Sequence, residues 1–272
     1  MTIDSYGIHL GFLYIRFYGI LLMLGALAGA VLSRRMMRWM GRDPEVIWDA
    51  LLWVLVFGII GARLYHVLTP SRSLLEKGID TAYYLTHPLD ILMIWQGGLG
   101  MPGAIAGGLV GLWIFARRAR VPLPILMDAA TPAVALGQAI GRWGNFINQE
   151  LYGPPTNLPW AIPIRPENRL PGYESFERFH PLFLYESIWN LANTVFLVWL
   201  WRRYHSRMQT GDLFLVYLIT YPMGRFLLEF IRLDYVPLMG LNLNQALMLV
   251  LAVGSGIALY LRSRRAPARK PV

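Results

Sequence analysis

An all-α membrane protein, a bundle of seven transmembrane helices with its N-terminus outside and its C-terminus cytoplasmic, is the fold class that three observations predict. The 272 residues are 56% hydrophobic and only 15% charged, whereas soluble domains carry charge at about 25% of positions. Seven apolar stretches come close to the ~20 residues that a helix needs to cross a hydrocarbon core: roughly 12–33, 48–69, 92–116, 124–148, 181–201, 213–232 and 243–261. The basic residues, finally, are divided unevenly between the two sets of connections, which sets orientation.

The first stretch has no basic flank before it and continues far past a signal peptide's length, so it reads as a retained helix. Arg34, Arg35, Arg38 and Arg42 follow it. The second begins at Asp49 and the fourth near Asp128, and an acidic group at a helix start meets the favourable end of the dipole. Between them, the third holds Gln96-Gly97-Gly98 and then Pro102, a pattern that predicts a broken helix start, tolerated in a membrane only where it lines a cavity or protein. A short basic connection joins the fifth stretch to the sixth, and basic residues follow the seventh. Arg117, Arg118, Arg120, Arg202, Arg203, Arg207, Arg262, Arg264, Arg265, Arg269 and Lys270 bring one set of connections to fifteen basic residues, against five (Arg72, Lys77, Arg165, Arg169, Arg178) in the other. The formal charge of +9 is therefore a topology signal. It is spread over short loops, which argues against a nucleic-acid partner. No repeat or composition break appears, so residues 1–272 read as one polytopic membrane domain. The two long connections, about 70–91 and the proline-rich 151–180, fall outside as loops or a small head region that covers something.

The chain has no cysteine, which excludes disulfides, thiolate metal ligands and an enzyme-borne cysteine nucleophile. What remains for chemistry is a set of polar residues within the apolar stretches. Once oriented, Arg16, Tyr18, Arg63, Gln96, Arg142, Asn145, Glu150, Tyr185, Glu186, Arg225, Glu229 and Arg232 all fall in the outer half. Ionisable groups at membrane depth cost about 2.5–3.5 kcal/mol each and mark substrate or ion sites. Tyr221, Arg225 and Glu229 recur on one helix face, and Arg232 follows three residues later. Arg142 has no charged partner at i±4, where Gln138 and Phe146 stand. Guanidinium recognises phosphate through paired hydrogen bonds, and the abundant phosphate at that depth is a phospholipid headgroup. A lipid-handling cavity open to the outer leaflet is the expectation. Transport of a phospholipid or organic anion through the same cavity is the alternative, and a non-catalytic scaffold a third reading.

The run Gly141-Arg142-Trp143-Gly144-Asn145-Phe146-Ile147-Asn148-Gln149-Glu150-Leu151-Tyr152-Gly153 resembles the signature of the bacterial prolipoprotein diacylglyceryl transferases. Arg16-Phe17-Tyr18-Gly19, Gly61-Ala62-Arg63, Trp95-Gln96-Gly97-Gly98, His180-Pro181, Leu184-Tyr185-Glu186 and Tyr221 through Arg232 extend the likeness along most of the chain. The resemblance implies transfer of the diacylglyceryl group of phosphatidylglycerol to the lipobox cysteine thiol of a preprolipoprotein signal peptide, releasing glycerol phosphate, in the bacterial cytoplasmic (inner) membrane. It implies no metal and no cofactor. Arg142 and Arg225 are then expected to stabilise the charge on the departing phosphate. Glu150 joins them as a catalytic-loop residue that orients rather than acts as base. Substrate binding is expected from Arg142, Tyr18, Asn145, Gly153, Tyr221, Glu229, Arg232, Arg63, Gln96 and Gly98. Many family members carry a histidine where this chain has Pro102, and proline has no proton to move. His180 and His66 are the remaining candidates for a base, and activation of the thiol by arginine, with Glu229 relaying a proton, is the preferred reading.

Overall fold

The computed structural model describes residues 2–11, 13–233, 237–238 and 241–265. Arg269 and Lys270, and the side chains of Arg265, Arg72 and Gln96, lie outside the described residues. The fold is mostly helical. Its long helices are α1 (Phe17–Trp39), α2 (Val46–Leu68), α3 (Met101–Ala119), α4 (Leu123–Asn148), α5 (Leu182–Tyr204), α6 (Asp212–Leu228) and α7 (Leu243–Arg265). Each falls on one of the seven apolar stretches, with ends shifted by a few residues. The largest shifts at helix starts come where Leu13–Arg16 forms a strand before α1 and where α3 starts only at Met101.

Five of the segments are long and apolar enough to cross a membrane: α1, α2, α4, α6 with its 3-10 extension to Ile231, and α7. Helix α5 is less apolar because its inner side is polar. Glu186, Ser187, Asn190, Asn193 and Thr194 are all buried there, while Ile188, Leu191 and Val195 are exposed. Leu52, Val56, Ile105, Val250 and Val253 are likewise turned outward. A surface this apolar around a polar interior suits lipid rather than water.

The chain divides into two compact units, Met1–Met36 with Met127–Val272, and Met37–Leu126. In the second unit α2 and α3 lie backbone to backbone. A Cβ added at Gly61 would stand 2.9 Å from the Gly107 Cα and strike the Gly103 carbonyl oxygen. Small residues allow this approach, and dispersion across it holds the pair without any hydrophobic driving force. Between the two helices the chain forms short helical turns at Arg72–Leu75, Thr81–Thr86 and Pro88–Leu92. Asp80 caps the middle turn by accepting the Tyr83 N–H at 2.7 Å. The expected break follows: Gly97 and Gly98 have φ of 94° and 74°, the left-handed region open to glycine. Pro102 then sits in the first turn of α3, where its missing N–H leaves no intrahelical bond unmade.

In the first unit α1 meets α4 through Gly25, whose added Cβ would lie 3.1 Å from the Gly137 carbonyl oxygen. Asp49 does stand in the first turn of its own helix, α2. Asp128 corrects the expectation. It lies inside α4 and serves the start of α6 instead, accepting the N–H groups of Gly211 at 2.6 Å and Phe214 at 3.0 Å.

The stretch 151–180 folds on a small core of Tyr152, Ile164 and Phe179, packed by Leu170 and Tyr173. The N-terminal strands β1 (Thr2–Ile3), β2 (Gly7–Leu10) and β3 (Leu13–Arg16) form an antiparallel meander. It is tied to that stretch where Tyr6 Oη accepts from Arg165 Nη1 at 3.4 Å and Asn168 Nδ2 at 3.2 Å. Asp4 organises the meander. It accepts the Tyr6 and Gly7 N–H groups at 2.7 Å each and pairs with His9 at 2.9 Å.

Two outcomes follow from this packing. Replacing Gly61 by Val should lower stability by about 1–3 kcal/mol through overpacking, read as a lower melting temperature in detergent; an unchanged melt would contradict the backbone approach. The Tyr6 N–H first, then the His9 bond, hold the Asp4 carboxyl down from 3.8 to about 2. These contacts are fully present above the ordinary value and lost as pH falls through about 2. Acidification across that window should expose the Tyr6 and Gly7 amides to hydrogen exchange, as Asp4→Asn should at neutral pH.

Candidate active site

Three helices of the first unit meet at one carboxylate. Glu186, one turn into α5, receives the Arg142 Nε from α4 on its Oε2 at 2.5 Å. Its Oε1 pairs with Arg225 Nη1 from α6. The Glu186 side chain is 6% exposed, Arg142 21% and Arg225 12%. Both arginines had been expected at one place. Glu186 was recognised only as a polar residue of the fifth stretch, yet it is what joins them. The usable signal was negative: positions 182 and 190 hold Leu and Asn, so this acid has no basic partner one turn away and must find one on another helix.

A second carboxylate extends the cluster. Glu229, 3% exposed, faces Arg225 Nη2 at 3.4 Å and Arg232 Nη1 at 3.8 Å. Its Oε1 accepts from Asn244 Nδ2 at 3.0 Å. The i, i+4 spacing of Arg225 and Glu229 thus makes the contact that the sequence suggested. Tyr221, one turn before Arg225, is hydrogen-bonded to Arg142 and stacked on Tyr217 with ring centroids 5.4 Å apart.

The end of α4 supplies the remaining polar groups. Arg142 Nη1 donates to Asn145 Oδ1 at 3.3 Å, and Asn145 Nδ2 donates to Glu150 Oε1 at 2.9 Å. Asn148 Nδ2 donates to the same oxygen at 3.2 Å. Gln149 and Leu151 have φ of 53° and 56°, uncommon for side chains other than glycine. These two residues reverse the chain and return Glu150 to Asn145. The Tyr18 ring lies against Gly144, where no Cβ would fit, within electrostatic reach of Glu150 and Arg142. Gly153 sits where the backbone is crowded: its added Cβ would meet His180 Cβ at 2.9 Å and the Ile231 carbonyl at 3.0 Å.

Helix α6 is locked to α5 just beside Arg225. Trp189 lies over Gly224, with no space for a Cβ between them, and its Nε1 donates to the Thr220 carbonyl at 3.1 Å. Ser187 Oγ donates to the Ala139 carbonyl of α4 at 2.8 Å. These contacts, which sequence reading missed, fix the rotation that turns Glu186 toward both arginines.

Arg16, in β3, is exposed with its guanidinium 5.9 Å from the Tyr14 ring centroid. Arg63 and Gly98 belong to the second unit. Arg63 spends its donors on backbone carbonyls: Nε on Ile91 at 2.8 Å, Nη2 on Asp90 at 2.5 Å, and Nη1 on Gly97 and Gly98 at 2.9 and 3.1 Å. It holds the broken start of α3 in shape. Gly98 leaves no room for a Cβ beside Arg63 and His66. The Gln96 backbone is in a 3-10 turn, Ile94–Gln96. His66 Nε2 contacts Tyr84 Oη at 3.3 Å, and His180 Nδ1 contacts Tyr185 Oη at 3.0 Å. That same Tyr185 oxygen accepts from Trp160 Nε1 at 2.8 Å.

Apolar, membrane-length helices around a buried arginine and glutamate cluster define a membrane protein with an interior polar site. The model of the prolipoprotein diacylglyceryl transferase family matches residues 6–261. The chain belongs to this family. A relative from Nostoc sp., named phosphatidylglycerol–prolipoprotein diacylglyceryl transferase, is 41% identical over 266 residues, covering 96% of this chain and 90% of its own length. A relative of the same name, numbered 2, from Streptomyces coelicolor is 40% identical over 264 residues, covering 96% of this chain and 80% of itself. One from Frankia alni is 41% identical over 260 residues, covering 94% and 66%. The chain therefore spans about two thirds of that relative's length and more of the others'.

Replacing Gly224 by Ala should cost about 1–3 kcal/mol by forcing Trp189 out of its seat. Adding Trp189→Phe should recover part of the lost melting temperature, because the smaller ring relieves the clash. Purely additive losses would contradict direct contact between the two.

Proposed function

We propose that this chain transfers the diacylglyceryl group of phosphatidylglycerol to the cysteine thiol of a lipobox in a preprolipoprotein signal peptide, releasing glycerol phosphate. The observation that carries the reading is the meeting of Arg142 and Arg225 on one carboxylate: two guanidinium groups from different helices are held at a spacing that suits one phosphate. The relatives' names favour transfer over transport. We place the chain in the bacterial cytoplasmic membrane with seven spans, α3 and α5 included, the N-terminus outside and the basic connections inside.

The substrate thiol loses its proton and its sulfur attacks the glyceryl carbon that bears the phosphate. The carbon–oxygen bond breaks, and its electron pair leaves on the phosphate oxygen. A free thiol titrates near 8.5 and is lowered beside arginine, so the site's guanidinium groups raise the thiolate fraction. The same groups oppose the charge that grows on the departing phosphate. Tyr18, Asn145 and Tyr221 offer hydrogen bonds to glycerol or ester oxygens. Glu150, accepting from Asn145 and Asn148, orients the end of α4. Glu229 and Arg232 support Arg225 from the other side, with Glu229 relaying a proton. In the second unit Arg63 shapes the irregular backbone around Gly97 and Gly98, and in the first Gly153 lets the backbone pass close to His180 and Ile231.

The test is incubation of the purified protein with phosphatidylglycerol vesicles and a lipobox peptide. A covalent diacylglyceryl mass increment on the peptide is expected. Arg142→Ala should lower turnover on the order of 10²-fold or more while the protein still inserts and melts cooperatively. Arg142→Lys should recover little, since a point charge cannot replace the planar fork. Unchanged turnover in Arg142→Ala would overturn the assignment. Removing His66 and His180 together should leave the shape of the pH profile intact.

A further inference from the structure

We propose that Glu186 is a positioning residue that works as the built-in counter-anion of the arginine pair, holding Arg142 and Arg225 face to face and competing with the substrate's phosphodiester for their N–H groups. The inference rests on the assignment of those arginines to the lipid phosphate. Its basis is the division of labour on one side chain: each Glu186 oxygen takes a different guanidinium, as two oxygens of one phosphate would.

The competition follows from donor supply. A planar fork gives phosphate two parallel N–H groups. In the structure the Arg142 Nε is committed to Glu186 and its Nη1 to Asn145. Arg225 commits Nη1 to Glu186 and turns Nη2 toward Glu229. A phosphodiester that takes the fork that includes Arg142 Nε, or one that includes Arg225 Nη1, must draw that donor away from Glu186. The carboxylate therefore weakens phosphate binding while it keeps both guanidinium groups in place. Arg142 and Arg225 share the single charge of Glu186, so the pair keeps its attraction for a further anion. Glycerol phosphate, the product, carries more charge and binds arginine more strongly, so a competing anion that returns to the pair speeds its departure.

Glu186→Gln keeps the shape and removes the charge. With the purified full-length protein in phosphatidylglycerol vesicles, KM for the lipid should fall by about tenfold, the value of one charge-assisted hydrogen bond. The inhibition constant of added glycerol phosphate should fall by a similar factor, and kcat should fall because product stays. Glu186→Asp, drawn back by one methylene, should move all three in the same direction by less, and it carries the test alone if Glu186→Gln does not fold. A KM that rises, or a KM and inhibition constant that both stay at wild-type values while kcat drops, would overturn the proposal and leave Glu186 a purely structural link. Full turnover in Arg142→Ala would instead remove the underlying assignment, whatever Glu186→Gln does.

Discussion

A glutamate buried at membrane depth needs a cation, and Glu186 takes two. That pairing constrains the first unit more than any apolar contact does, because leaving any one of Arg142, Glu186 or Arg225 alone would strand an uncompensated charge. Breaking a buried pair typically costs about 3–5 kcal/mol. Helices α4, α5 and α6 must therefore arrive at the same point with the correct rotation. The Ser187 bond to α4 and the seat of Trp189 on Gly224 supply that rotation. Glu229 and Asn244 then extend the network toward α7.

The second unit solves a related problem by other means. Arg63 is buried too, but it is neutralised by dipoles, four backbone carbonyls surrounding one guanidinium. Those carbonyls are within reach because only the short turns Pro88–Leu92 and Ile94–Gln96 and two left-handed glycines precede α3, so the charge and the irregular backbone satisfy each other. Each unpaired carbonyl in hydrocarbon costs several kcal/mol. The close α2 and α3 pair, glycine against glycine, gives the arrangement a stiff support.

The comparison of sequence with structure is uneven in an instructive way. All seven long helices were legible, since an apolar run of membrane length has few alternatives, and so was the break before Met101, where Gly97 and Gly98 precede Pro102. Arg142 and Arg225 were legible as a pair because guanidinium in an apolar stretch is conspicuous. Asp128 was misread: a charge near a helix start looks like that helix's own cap, and only the fold reveals that it caps α6. The partners of Arg63 were not legible, because they are backbone carbonyls, which leave no mark in a sequence.

The sequence by itself determined the membrane character, the helical segments and the inventory of charged groups, because these depend on local hydropathy and on the cost of placing charge in lipid. Tertiary structure alone decided which charges meet. Glu186 lies 44 residues beyond Arg142 and 39 before Arg225, and no periodicity links positions on three different helices. Their meeting depends on how the helices rotate and approach, and that is settled by glycine contacts, one tryptophan and the requirement that every buried charge find its opposite.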